Sequence, residues 1–155
     1  MTSTANGCAD LLVHVNLSTF EKRLNITGEI WLEVGDFSFP SQSWSDFPVI
    51  ILSWWLDALD MLHTANSTTE FLFMDGPYSF TVSRRNGECV LQCIEDPRGD
   101  KESLWQGVVN LNGLSSQVRS AATSGVQQCR RRGWTTPDTS SLESTVAALS
   151  GSQSA

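Results

Sequence analysis

Between Asp46 and His63 the chain places Phe47, Ile51, Trp54, Ala58 and Met61 on one helical side. Leu52, Trp55, Leu59 and Leu62 lie on the adjacent side, and Asp46, Ser53, Asp57 and Asp60 form only a narrow polar stripe. A helix this apolar has to be covered on most of its circumference, so the rest of the chain must wrap it. Ser45 is suited to cap its first turn, Asp46 to its positive end, and Pro48 to a position where no amide partner is needed. With 155 residues, 40% of them hydrophobic, one domain with a real core is affordable and a second is not.

The flanking segments change period from helix to strand. Leu11, Val13, Val15 and Leu17 alternate with Leu12, His14, Asn16 and Ser18, and Ile30, Leu32 and Val34 alternate with Glu29, Trp31 and Glu33. The polar stretch between them predicts a hairpin. After a turn at Thr64 to Thr69, Glu70 to Met74 reads as a strand and Asp75-Gly76-Pro77 as a corner. Tyr78, Phe80 and Val82, the Asn86-Gly87 turn, and Cys89, Leu91 and Cys93 then predict a tight hairpin in which Val82 faces Leu91 and Phe80 faces Cys93. Leu104 to Leu111 is a last strand, and Asn112 to Arg132 a second helix whose closing arginines precede Gly133.

The fold expected is α+β, a mostly antiparallel sheet of about five to six strands packed by two helices. The order is two strands, a helix, four strands and a helix, within a single domain over 1–134. Ser, Thr and Ala dominate 135–155, which reads as a disordered tail.

Thirteen acids face four bases from Met1 to Asp96, a net of −9, and the remainder carries +2, giving −7 for the chain. That balance argues against nucleic acid as partner, because phosphate binding draws on Lys and Arg; it suits a cationic partner, or solubility alone. Cys8, Cys89, Cys93 and Cys129 are sparse, and the N-terminus lacks a basic region followed by an apolar run. Reduced thiols and a cytoplasmic location are therefore expected. The three Asn-X-Ser/Thr triplets at Asn16, Asn25 and Asn66 are then chance, and no apolar run approaches the roughly twenty residues of a membrane span.

Catalytic constellations are hard to assemble from these residues. Cys89 and Cys93 share a strand face at roughly 13 Å, too far for one metal ion, and small apolar packing explains them. Asp57 with Asp60, and Glu29 with Glu33, fit solvated faces; His14 points outward, and His63 suits a helix end. No nucleophile has a plausible base, so neither a metal, a cofactor nor an enzymatic centre is expected. Six tryptophans remain, with Trp31, Trp44, Trp54 and Trp55 close together in the sequence. Aromatics among carboxylates suit a protein interface; equally, Trp54 and Trp55 can complete the core.

The run Ile30-Trp31-Leu32-Glu33-Val34, the loop Phe39-Pro40 through Trp44-Ser45-Asp46-Phe47, the pair Trp54-Trp55 and the segment Phe73 to Tyr78 resemble small bacterial immunity proteins of polymorphic toxin systems. The resemblance covers about a third of the chain. It implies an acidic, cytosolic, non-enzymatic protein that blocks a protein partner, a basic toxin domain. The residues assigned to partner binding are Trp31, Glu33, Asp36, Trp44, Asp57 and Asp60. A small-molecule or sensing domain, with a pocket between helix and sheet lined by Trp55, Phe71, Phe80 and Cys93, is the alternative. Monomer and homodimer stay open.

Overall fold

A computed structural model describes residues 8–63 and 66–153, with side chains of His63 and of residues 150–153 left aside. The N-terminal run read for a leader, part of the Thr64–Thr69 turn and the last two residues lie outside them. Eight strands and three α-helices follow in order: β1 (Leu11–Lys22), β2 (Ile26–Val34), β3 (Phe37–Phe39), β4 (Ser45–Asp46), α1 (Pro48–Asp60), β5 (Thr68–Leu72), β6 (Tyr78–Arg85), β7 (Glu88–Glu95), β8 (Glu102–Val109), α2 (Leu111–Arg131) and α3 (Pro137–Gln153). A 3-10 turn, Met61–His63, closes α1.

The α+β class holds and the predicted order holds broadly, with β3, β4 and α3 in addition, but the strands form two antiparallel sheets rather than one. The first runs β1-β2-β3, with β4 also pairing β2, and the second runs β5-β6-β7-β8. Short β3 and β4 carry too few residues for their alternation to be read. Ser45 and Asp46 belong to β4, paired with Glu29 and Gly28, so α1 begins two residues later than expected and Ser45 does not cap it.

The predicted hairpins are present. Val82 lies opposite Leu91 and Phe80 opposite Cys93. Asn86 and Gly87 turn with φ of 55° and 81°, both left-handed, as a two-residue primed turn requires. In the β1–β2 hairpin a register shift follows Asn16, and the Phe20 ring lies across Gly28. A Cβ there would sit 2.6 Å from Phe20 Cδ1, so only glycine lets the ring close over the strand.

Helix α1 is the hub. It touches β2 of the first sheet, β5 of the second, and both α2 and α3. Ile51, Leu52 and Trp55 are fully buried, and the sequence's demand for cover on most sides is met. Trp55 sits edge-on to Phe71, Phe73 and Phe80, while Phe39 of β3 meets Phe73 and Tyr78 edge-on, so rings join the two sheets around the helix.

Helix α2 ends at the arginine run as expected and borders β1. The Gln117 side chain accepts from Val13 N at 2.7 Å and donates to Leu11 O at 2.8 Å, and Gln128 donates to Leu17 O at 3.3 Å.

The expectation of a disordered stretch from Thr135 is corrected, because Pro137–Gln153 is helix α3, packed on α1 and α2. Thr136 and Thr139 exchange side-chain-to-backbone hydrogen bonds of 2.8 and 3.1 Å across its first turn. Thr139 and Leu142 are buried, and Val146 and Leu149 extend the same spacing against the core. Compositional bias concealed a helix whose apolar contacts are few but regularly placed.

Candidate partner-binding surface

Strand alternation sends Ile30, Leu32 and Val34 of β2 inward, toward the side that carries α1, and leaves Glu29, Trp31 and Glu33 on the outer face. From β1, Leu12, His14, Asn16 and Ser18 share that outer face, since Leu12 lies opposite Glu33, His14 opposite Trp31 and Asn16 opposite Glu29. Leu12 is 48% exposed. His14 stacks on Trp31 with ring centroids 3.9 Å apart, and its Nε2 lies 3.0 Å from Glu33 Oε1. Asn16 donates to Glu29 at 3.2 Å.

Alternation puts Trp31 on the outer face, where an indole is exposed unless something covers it. Trp31 is only 9% exposed. A cross-strand imidazole lies over it, so Trp31 forms the floor of this patch, and His14, Leu12 and the two glutamates are its outward-facing groups. Period-two alternation does place His14 outward, but the cross-strand register that pairs it with Trp31 is not visible in either strand alone.

The other assigned residues lie elsewhere. Asp36 is exposed in the β2–β3 turn, beyond the end of the same sheet. Trp44 belongs to the joint between the sheets: its Nε1 donates to Asp46 at 2.9 Å and its ring meets Tyr78 edge-on. Asp46 is itself buried, and its carboxylate also accepts from Phe47 N at 2.8 Å and Asp75 N at 3.0 and 3.1 Å. The indole is thereby held in place by the corner that it helps to close. Asp57 and Asp60 are exposed on α1, which packs the inner side of the first sheet. The six residues therefore do not form one patch; Trp31 and Glu33 share one, with Asp36 past its end.

The pocket expected among Trp55, Phe71, Phe80 and Cys93 is filled by those side chains, all fully buried; Phe71 stacks on Phe80 with centroids 4.7 Å apart. Burial pushes the Cys93 thiol up to about 12. Burial also raises Cys89, against an opposing pull from Arg84, and raises Cys129, aided by Glu143. These three thiols stay protonated near neutral pH, which makes them weak nucleophiles. Among the described residues, no group of three His, Cys, Asp or Glu side chains is arranged to hold a metal ion, and no helix is long and apolar enough to cross a membrane.

Comparison with protein-family models, curated proteins and solved structures gave no match.

Proposed function

We propose that this chain is a non-enzymatic binding protein that engages a basic protein domain through the outer face of its first sheet, in the manner of an immunity protein neutralising a cognate toxin. The observation that carries the reading is the patch of Leu12, His14, Glu29 and Glu33 over Trp31, which combines an exposed aliphatic anchor, a stacked aromatic floor and two carboxylates. Apolar centres of this kind supply affinity, while surrounding charge steers the encounter. The net charge of −7 agrees with a cationic partner.

The test is binding to, and protection from, a toxin domain encoded by an adjacent gene. Reversing Glu29 and Glu33 to lysine is expected to slow association about tenfold or more at low salt and to flatten its salt dependence. Leu12→Ala is expected to speed dissociation instead. A toxin complex whose kinetics ignore all three changes would move the interface off this face, and absence of any protection would remove the immunity reading.

A further inference from the structure

Eight of the ten Lys and Arg residues are exposed, and the two that are partly buried, Arg84 and Arg119, line the same cleft. The cleft, of about 270 Å³, lies between the end of α1, the end of β6, the first turns of α2 and the far part of α3. Leu56, Leu59, Leu62, Leu111 and Leu149 supply its apolar wall, and Ser115 adds a hydroxyl. Arg84 is anchored, its Nη1 donating to Leu62 O. Arg119 differs: its Nε is enclosed with no hydrogen-bond partner.

Arg119 as a whole is only partly buried and its two terminal nitrogens are not among the enclosed atoms, so these are the donors that a ligand in the cleft can reach. Asp60 is the one acid among the described residues lining the cleft, against two arginines. The first turn of α2 opens at the same place, its Asn110 cap accepting from Gly113 N at 3.0 Å, and a helix start adds positive potential.

From these features we propose that the cleft binds a small organic carboxylate carrying a short aliphatic tail, with the carboxylate on Arg119 and Arg84 and the tail against the leucines. Arginine pairs suit carboxylates through parallel N–H donors, and a volume near the lower limit of ligand pockets suits a compact molecule rather than a nucleotide cofactor. The site lies on the α1–α2 side, away from the outer face of the first sheet, so it is independent of the partner-binding proposal.

The probe is octanoate, titrated into the ¹⁵N-labelled full chain, with octanol and inorganic phosphate as controls. Octanoate is expected to saturate with a Kd of about 1 mM or tighter and to shift the amides of Leu59, Asn112, Ser115 and Leu149. Arg119→Met keeps the aliphatic stem and is expected to weaken octanoate about tenfold or more without lowering Tm, since the lost Nε has no partner within the protein. A variant that merely unfolds would show a lower Tm and point to a structural arginine, which overturns the proposal. Equal binding of octanol or of phosphate would overturn it as well, by removing the carboxylate or the tail from recognition. Failure of octanoate to saturate below about 10 mM would have the same force.

Discussion

Helices α1 and α3 pack against each other, yet they reach burial by opposite routes. Helix α1 is apolar around most of its surface and is enclosed by both sheets and both neighbouring helices. Helix α3 is rich in serine and threonine and presents a sparse line of Thr139, Leu142, Val146 and Leu149 to a surface formed by α1 and α2. The first organises its surroundings and the second depends on them. Composition therefore announces the organiser and conceals the dependant.

The largest test of that contrast is Trp55→Ala, which removes the ring that meets Phe71, Phe73 and Phe80. It is expected to cost about 3–5 kcal/mol in urea unfolding, because no neighbouring element can collapse into the space. Leu142→Ala on α3 is expected to cost less, about 2–3 kcal/mol, and to raise hydrogen exchange in α3 before it does so in β6 and β7. If the two losses are equal and the whole chain opens together, α3 belongs to the same cooperative unit as α1.

A smaller effect tests the core from its chemistry. Cys93 lies on the face of β7 opposite Phe80, and its pKa of about 12 stands above the ordinary 9.0. Below pH 9 folded and unfolded chains both keep that proton, so the contribution is constant. Above it the unfolded chain releases the proton first, and stability falls by up to about 1.4 kcal/mol per pH unit as pH rises toward the folded value. Cys93→Val should flatten the alkaline slope between pH 9 and 11 relative to the parent; parallel slopes would mean that Cys93 is hydrated in the folded state.

Much of the architecture was legible wherever one strand or helix carries its own signal. The alternation around Asn86-Gly87 specified both the turn and the facing pairs, and the apolar run through Trp54-Trp55 specified a central helix. Splitting of the strands into two sheets was not legible, because β3 and β4 are only three and two residues long. The patch was half legible: alternation put Trp31 and Glu33 outward, but the imidazole that covers Trp31 comes from another strand. The cleft was invisible for the same reason, since Arg84 and Arg119 lie 35 positions apart and meet only through β6 and α2.

One side chain has a consequence for assembly. Gln117 offers β1 an amide that accepts from one backbone group and donates to the next but one, as an adjoining strand would. A foreign chain seeking to lengthen the first sheet from that border meets a place already taken. Replacing Gln117 with alanine would remove that block at one point only, because α2 and the Gln128 side chain still border the strand.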